Sequence, residues 1–181
     1  MEEIRLSLCD EEWDYEYTDH DRYIARAIVY DDDGYFYFVR VERDDDFGKT
    51  TLIETAGGGV EAGEDLGEAI IREIKEELGA TVEVVGKIGV VDDYYNLIHR
   101  HNINNYYLCK AISFGEKSLT DDEINYFHLS TMKIKFNDAY NEYIKGKSSR
   151  LGRLIYNREM PVLLRAKEML SNMYDFDKIF G

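Results

Sequence analysis

The sequence contains one proline, two cysteines and no long apolar run, and each shortage excludes a class of protein. A single proline argues against proline-rich linkers. The cysteines, Cys9 and Cys109, form no C-x-x-C pair and no His/Cys cluster with zinc spacing, so we interpret both as reduced structural thiols. No stretch approaches the roughly 20 apolar residues of a membrane helix, and residues 1–19 are too acidic for a signal peptide. We therefore expect a soluble, cytoplasmic protein with no membrane partner.

Basic residues are also scarce. The sequence has 22 Lys and Arg but 37 Asp and Glu, which gives a formal net charge of −15. A field of this sign repels phosphate backbones, so we expect no nucleic-acid partner. It still permits a small phosphate ligand, because a bound divalent metal can invert the sign of the local charge. Hydrophobic residues make up 44% of the 181 residues, which is enough for a packed core.

Strand-forming residues alternate with turn signals through the first two-thirds of the chain. The runs YIARAIVY and YFYFVRV, joined by DDDG, predict a β-hairpin over residues 23–41. Gly86 and Gly89 predict bulges or a bend. Residues 1–20 are interpreted as a short strand or an extended lead-in. The remaining strands are predicted at 51–54, 81–91, 103–114 and 126–129, with a polar loop over 92–102.

Helical spacing predicts one central helix and two helices late in the chain. The central helix spans residues 65–78 and stops at Gly79. The later helices are predicted at 136–144 and at 160–173, the second with Asn157 as a candidate cap before Pro161.

A mixed sheet with one central helix and further helices at the end indicates a layered α/β fold. We predict a main domain over residues 1–145, with its first 20 residues unassigned. A helical extension over residues 146–181 is expected to pack on that domain or on a partner subunit. The sequence leaves a homodimer open.

Residues 57–80, GGGVEAGEDLGEAIIREIKEELGA, concentrate carboxylates on the central helix. On a helical wheel of about 100° per residue, Glu73 and Glu77 lie about 40° apart, and Glu76 lies about 60° to one side of Glu73. Like charges at this spacing destabilise an isolated helix, so such a helix needs a compensating cation. Mg²⁺ is the natural candidate, because it prefers hard oxygen ligands.

The surroundings of these carboxylates suit the same chemistry. Arg72 can reach Glu68 and Glu76, each four residues away, and so orient a carboxylate. Glu64, just before the helix, can cap the N-terminus or join the acid cluster. Residues 57–59 are glycines, whose carbonyls can approach a metal and whose N–H groups can approach phosphate.

This segment resembles the signature motif of the Nudix (MutT-like) hydrolases, although the resemblance covers only about 24 residues. The motif is Gly, five residues, Glu, seven residues, then Arg-Glu-apolar-any-Glu-Glu-any-Gly-apolar. A Glu-rich surface helix is the simpler reading, but the complete spacing favours the motif. Every fixed position is matched, by Gly58, Glu64, Arg72, Glu73, Ile74, Glu76, Glu77, Gly79 and Ala80, the last smaller than the usual aliphatic residue.

The resemblance implies an α/β/α sandwich around a mixed β-sheet, and a metal-dependent hydrolase that uses Mg²⁺, with Mn²⁺ able to substitute. Glu76 and Glu77 would be the core metal ligands, and Glu73 a third ligand or a base. Gly57 would lend its carbonyl to the metal, and Arg72 would orient Glu73 or Glu76. The structural positions of the motif would be Gly58, Glu64 and Gly79.

Many members of the family need one further acid outside the motif. Asp121, Asp122 and Glu123 are the candidates, because such acids often precede the last strand. We favour Glu123, with a solvated turn as the alternative for all three residues.

The resemblance also implies the reaction, in which water attacks a phosphorus of a nucleoside diphosphate linked to another moiety. The stretch ETAGGGVE, residues 54–61, is similar to ADP-ribose pyrophosphatases, whose usual proline is Thr55 here. A nucleotide sugar or an ADP-ribose-like substrate is therefore favoured, with nucleoside triphosphates close behind. Candidate phosphate contacts are Arg26, Arg40 and Arg100, and each can equally be a surface ion pair.

A different class of function is a Nudix-fold module that binds or senses a nucleotide without cutting it. The intact motif acids argue against this alternative, and phosphate release in the presence of Mg²⁺ would separate the two.

Overall fold

The computed structural model describes residues 2–181, which form eight β-strands and five α-helices. The strands are β1 (Ile4–Leu8), β2 (His20–Tyr30), β3 (Phe36–Asp45), β4 (Gly48–Glu54), β5 (Ala56–Gly59), β6 (Ala80–Tyr95), β7 (Arg100–Phe114) and β8 (Ser130–Ile134). The helices are α1 (Leu66–Leu78), α2 (Asp121–Asn125), α3 (Phe136–Gly146), α4 (Arg150–Ser171) and α5 (Phe176–Ile179), and a 3-10 turn spans Asn96–Ile98.

All eight strands belong to one mixed sheet, whose main path runs β1-β6-β7-β2-β3-β4. β5 pairs with β2, and β8 pairs with β3. The β1–β6 and β2–β7 pairs are parallel, and the others are antiparallel. β2 and β3 pair only next to their hairpin turn, at Val29–Tyr37 and Tyr30–Phe36. Beyond these pairs the two strands diverge, which opens a cleft in the sheet.

Helices cover both faces of the sheet. Ala25, Ala27 and Val29 of β2 point to α1 and join a buried cluster with its apolar residues. Ile28 and Tyr30, on the opposite face of the strand, belong to a second cluster with α3, α4 and α5. The predicted α/β/α sandwich with a mixed sheet is therefore confirmed.

The late helices pack on the sheet of their own chain. α4 contacts β1, β4 and β6. After α5, Phe180 contacts Tyr30 and Phe36, with ring centroids 5.7 and 5.5 Å apart. The division of the chain at residue 145 stays a prediction. Among the described residues, no helix combines the length and apolar character that a bilayer crossing requires.

The predicted hairpin and the irregularities near Gly86 and Gly89 are confirmed, since the register between β6 and β7 shifts at both glycines. The predicted loop over residues 92–102 is wrong, because β6 continues to Tyr95 and β7 begins at Arg100. Asp93 and Asn102 there are buried, and Asn102 Nδ2 donates to Asp93 Oδ1 over 3.3 Å. Asn104 Nδ2 donates to Asp93 Oδ1 over 2.9 Å, which lets polar side chains occupy a central strand pair.

Two other boundaries also differ from the prediction. The last strand lies at residues 130–134, because Thr120 and Glu123 form a capping box that starts α2 in the preceding segment. α4 begins eleven residues before Pro161, where the Ser149 side chain accepts from the N–H of Gly152, so Asn157 is not its cap. Pro161 is tolerated inside this helix because apolar packing on both sides of it holds the helix in place.

Candidate active site

α1 is positioned by strong local signals at both ends. Asp65, rather than Glu64, is its N-cap and forms a capping box with Glu68. Gly79 ends the helix in the left-handed conformation, with φ of 67°, where a Cβ would lie 2.2 Å from the carbonyl oxygen of Gly115. The apolar side, including Ile70 and Ile74, is fully buried. Burial of this side turns the acidic edge of α1 toward the glycine loop.

Arg72 is the centre of a dense set of hydrogen bonds. Its guanidinium donates to both oxygens of Glu64, over 2.7 and 3.0 Å. It also donates to Glu73 over 2.8 Å, to Glu76 over 3.2 Å and to the carbonyl of Gly59 over 3.1 Å. The contact predicted with Glu68 is not made, because that side chain caps the helix. The bonds from Arg72 lower the pKa of Glu64 to about 2.

Glu77 lies under the glycine loop and is almost completely buried. Its Oε2 accepts a hydrogen bond from the N–H of Gly57 over 2.8 Å. Burial raises the pKa of Glu77 to about 8, although the Gly57 bond acts in the opposite direction. The negative charges of Glu73 and Glu123 add to the increase. The positive charge near Glu77 is therefore too small to stabilise its ionised form.

Glu73 lies directly over Gly58, where a Cβ would be 2.6 Å from its Oε1. A side chain at Gly58 would displace the carboxylate, which explains why the motif needs a glycine there. Burial raises the pKa of Glu73, and the bond and charge of Arg72 only partly oppose it. The like charges of Glu76 and Glu123 raise it further.

Glu123 approaches these acids from the N-terminal turn of α2. Its Oε2 accepts from the N–H of Thr120 over 2.7 Å, and its side chain lines the same cavity as Glu77. Asp121 and Asp122, by contrast, are exposed and do not line it. The structure thus brings together Glu73, Glu77 and Glu123, as the charge effects on Glu73 and Glu77 also indicate.

The cavity occupies the cleft where β2 and β3 diverge, and its volume is about 510 Å³. Arg26 and Arg100 line it, but Arg40 does not, because Arg40 forms an ion pair with Glu42 elsewhere on β3. Arg22 and Arg43 line the cavity although neither was a candidate from the sequence. The aromatic lining residues are Phe47, Tyr95, Tyr126 and Phe127.

Arg22 and Arg100 bring positive charge to the cavity. Within residues 2–181 neither guanidinium forms an ion pair, and Nε of Arg100 is buried without a hydrogen-bond partner. Burial lowers the pKa of Arg22, and the charges of Arg100 and Arg26 lower it further. Arg22 would have been detectable from the sequence, because it is two positions from Ile24 and four from Arg26 on the same face of β2.

Arg26 connects the cavity to a buried polar network. Its Nε donates to Asn104 over 3.1 Å, and its Nη1 donates to the carbonyl of Thr55 over 3.3 Å. Its charge is shared between Glu54, at 3.7 Å, and Glu159 of α4, at 3.9 Å. Arg26 is therefore held as part of the cavity floor.

The donor set fits a hard divalent cation. Glu73, Glu76, Glu77 and the backbone of Gly57 offer oxygen donors, which Mg²⁺ and Mn²⁺ prefer. Among the described residues, however, no three His, Cys, Asp or Glu side chains already surround one point. Arg72 binds Glu73 and Glu76, and Gly57 binds Glu77, so binding a cation requires some carboxylates to rotate away from these partners.

A family model for the NUDIX domain matches residues 12–143, nearly three-quarters of the chain. The chain belongs to the NUDIX family. This confirms the resemblance of the motif and the assignment as a Nudix hydrolase. Among curated proteins, none matches the sequence significantly.

Solved structures share the NUDIX fold at low sequence identity. A NUDIX hydrolase from Nitrosomonas europaea is 15% identical, with a TM-score of 0.56, and the match covers 68% of this chain and 78% of that one. A MutT NUDIX hydrolase from Burkholderia pseudomallei is 22% identical, with a TM-score of 0.53 and coverage of 66% and 86%. A MutT protein from Methanosarcina mazei Go1 is 18% identical, with a TM-score of 0.51 and coverage of 69% and 83%.

The NUDIX match ends within α3, so α4 and α5 lie outside it. Thr55, where the similar ADP-ribose pyrophosphatases carry proline, contacts α4 directly. Its N–H and hydroxyl both donate to Glu159. The sequence motif therefore describes only one side of the glycine loop.

Proposed function

We propose that this NUDIX enzyme hydrolyses a diphosphate linkage in a nucleoside diphosphate joined to another moiety, with a divalent metal as cofactor. One observation carries the proposal, which is that acids and guanidiniums meet in a single cavity. Glu77 and Glu123 line it together with Arg22, Arg26 and Arg100. Carboxylates suit a metal and guanidiniums suit phosphate, so the cavity can hold both parts of such a complex.

Glu76, Glu77 and the carbonyl of Gly57 would hold the metal, with Glu73 as a third ligand or a base. When bound, the metal supplies an activated water and neutralises charge on the bridging phosphates. Arg72 keeps Glu73 and Glu76 oriented toward the loop through its planar guanidinium. Gly58 leaves the room that Glu73 needs above the loop.

We assign the general base to Glu123 in preference to Glu73. Glu73 already accepts a hydrogen bond from Arg72 and would be a candidate metal ligand, so its oxygens are less free to take a proton from water. Glu123 lines the cavity and is held at the backbone of Thr120, so one of its oxygens can face the substrate. Its role would be to remove the proton of the attacking water.

The cavity suits a nucleotide, but two substrate classes remain. Arg22, Arg26 and Arg100 provide positive charge for phosphates, and the exposed Tyr126 provides a ring surface on which a base can stack. A nucleotide sugar or an ADP-ribose-like molecule would place a second polar group in the cleft. A nucleoside triphosphate would place a third phosphate there instead.

The test is a substrate panel with Mg²⁺ or Mn²⁺ that covers nucleotide sugars, ADP-ribose, dinucleoside polyphosphates and nucleoside triphosphates. We expect turnover that EDTA abolishes, with release of a nucleoside monophosphate or of pyrophosphate. Binding of a nucleotide by calorimetry without any phosphate release would contradict the proposal and favour a sensing module. Glu61→Gln, an exposed acid of the glycine loop, provides a matched control for assays of the motif acids.

A further inference from the structure

Glu159 is a fully buried carboxylate in the middle of α4. It belongs to no motif and lies outside the residues that the NUDIX model matches. Burying an ionised carboxylate is unfavourable unless its partners are excellent, and an apolar side chain would pack as well. A purely structural need for bulk therefore does not explain the choice of a glutamate at this position.

The partners of Glu159 include the segment that leads into the glycine loop. Its Oε2 accepts from the N–H of Thr55 over 2.9 Å, and its Oε1 accepts from the Thr55 hydroxyl over 2.7 Å. Since Arg26 donates to the Thr55 carbonyl, every polar group of Thr55 is fixed. Two residues later, the N–H of Gly57 donates to Glu77. Glu159 is thus connected to Glu77 through three consecutive residues.

Several further partners surround Glu159, so that the loss of any one of them leaves the others to hold it. Tyr143 of α3 donates to its Oε2 over 2.6 Å, and Tyr106 of β7 donates to its Oε1 over 3.2 Å. Arg158 approaches Oε1 to 3.3 Å and also bonds to Asp93 over 3.2 Å. Opposite charges and hydroxyl donors thus surround the carboxylate, which makes it a rigid anchor rather than a mobile side chain.

We propose that Glu159 is a positioning residue that fixes the Thr55–Gly57 segment, and that it thereby sets the affinity of the site for a divalent metal. The inference rests on the proposed function, because it assumes that Gly57 and Glu77 contribute to the metal site. If the loop is already ordered, metal binding does not have to offset the entropy that is lost when the loop becomes ordered. A site with a looser segment should therefore bind the metal more weakly. In this account, α4 is part of the active-site machinery.

The test compares two small substitutions at the same carboxylate. Thr55→Val removes the 2.7 Å hydroxyl bond, one of the two bonds that connect Glu159 to the loop, and keeps the side-chain volume nearly constant. Tyr143→Phe removes the 2.6 Å bond to the same carboxylate from the side of α3, without contacting the loop. Both variants should lose some stability, since each removes one partner of a buried group. Only the first should disturb the site.

Two quantities are measured. Mn²⁺ binding without substrate is measured by electron paramagnetic resonance of the free ion, and loop order is measured by amide hydrogen exchange at residues 55–58. We expect Thr55→Val to raise the Kd for Mn²⁺ at least about fivefold, which is the size of effect that the loss of one hydrogen bond produces. The Gly57 amide should also exchange faster. Tyr143→Phe should leave the Kd within about twofold of the parent value. Glu159→Gln, if it folds, should weaken Mn²⁺ binding further than Thr55→Val.

Three outcomes would decide against the inference. If Thr55→Val binds Mn²⁺ and exchanges like the parent, Glu159 is only a structural anchor. If Tyr143→Phe weakens Mn²⁺ binding as much as Thr55→Val, general loss of stability is the better explanation. If the parent itself binds no Mn²⁺, both the proposed function and the inference fail. The first two outcomes, by contrast, contradict the inference alone.

Discussion

The N–H of Gly57 and the carboxylate of Glu77 meet over 2.8 Å, although 20 residues separate them in the chain. This bond joins the strand side of the motif to its helix side. It also holds a carboxylate in a buried position where ionisation is unfavourable, since burial raises the pKa of Glu77 to about 8. A cation would remove that penalty.

Glu77→Gln should therefore abolish most activity without harming the fold. The amide oxygen of glutamine can still accept from Gly57, but it offers a metal no negative charge. We expect turnover to fall at least about hundredfold. Because an ionised, buried carboxylate destabilises the fold, the metal-free variant should melt at the same temperature as the parent or higher. Near-normal turnover would refute the metal-ligand role, with Glu61→Gln as the control.

Arg72→Lys keeps the positive charge but loses the planar group that reaches Glu64, Glu73 and Glu76 together. We expect turnover to fall about tenfold or more, because the carboxylates lose their shared orientation. Arg40→Lys, at an arginine outside the cavity, is the matched control and should behave like the parent. Full activity of Arg72→Lys in steady-state assays would instead indicate a bulk electrostatic role.

Glu123→Gln should lower kcat at least about tenfold, with a smaller change in KM, as expected for a group that acts in the transition state. Asp121→Asn and Asp122→Asn are the matched controls, since both side chains are exposed and outside the cavity. All three variants are compared with Glu73→Gln at one metal concentration. If the α2 variants resemble the parent while Glu73→Gln is inactive, the base is Glu73.

Arg22→Gln and Arg100→Gln should mainly weaken substrate binding. Each guanidinium lines the cavity without an ion pair among the described residues, so its charge is available to phosphate. We expect KM to rise about tenfold in each variant, and the salt dependence of KM to become shallower. Arg40→Gln serves as the control. Unchanged KM values for the best substrate of the panel would place its phosphates elsewhere.

His101 predicts a pH-dependent contribution to stability. Burial alone would lower its pKa, but hydrogen bonds to Asp21 and Asp92, at 2.8 and 3.1 Å, and their charges outweigh burial and raise it. A raised pKa means that the stabilisation is present below the unfolded value of about 6.5 and is lost as the pH rises through the folded value.

His101→Gln should therefore destabilise the protein more at about pH 6 than at about pH 8.5, in urea unfolding at both values. An equal effect of His101→Gln at both pH values would mean that packing against Tyr94, rather than charge, explains its contribution.

The central helix and its acids could be predicted from the sequence because their signals are local. The caps at Asp65 and Gly79, the apolar spacing and the motif all lie within about 24 residues of sequence. The sequence left two roles open for Glu64, because two acids precede the helix. Only the structure shows that Asp65 caps it while Glu64 pairs with Arg72.

The buried network could not be predicted, because its partners are far apart in sequence. Glu159 and Thr55 are separated by 104 residues, and Arg158 and Asp93 by 65. A local signal did exist for Glu159, since it shares a helical stripe with Ile155, Val162 and Ala166, all of which are buried. A charged residue on such a stripe indicates a buried ion pair, and here Glu159 contacts Arg26 and Thr55, two residues that line the cavity.

The position of Arg40 relative to the cavity could not be predicted from the sequence. Residue type made Arg40 as plausible a phosphate contact as Arg26, and both lie in strands. Arg43, three positions later on β3, lines the cavity together with Arg26, whereas Arg40 does not and pairs with Glu42. Side chains alternate between the two faces of a strand, so Arg40 and Arg43 lie on opposite faces of β3. Which face of β3 meets the cavity depends on strand pairing, which the sequence alone does not specify.

The packing of Phe180 on Tyr30 and Phe36 has a consequence for biosynthesis. Nearly 150 residues separate the first hairpin from the ring that covers it, so ribosomes must translate almost all of this sequence before the contact can form. Until then, the parts of both rings that Phe180 covers stay accessible to water and to chaperones. We expect Phe180→Ala to slow refolding and to increase aggregation during synthesis, even though it lies far from the cavity.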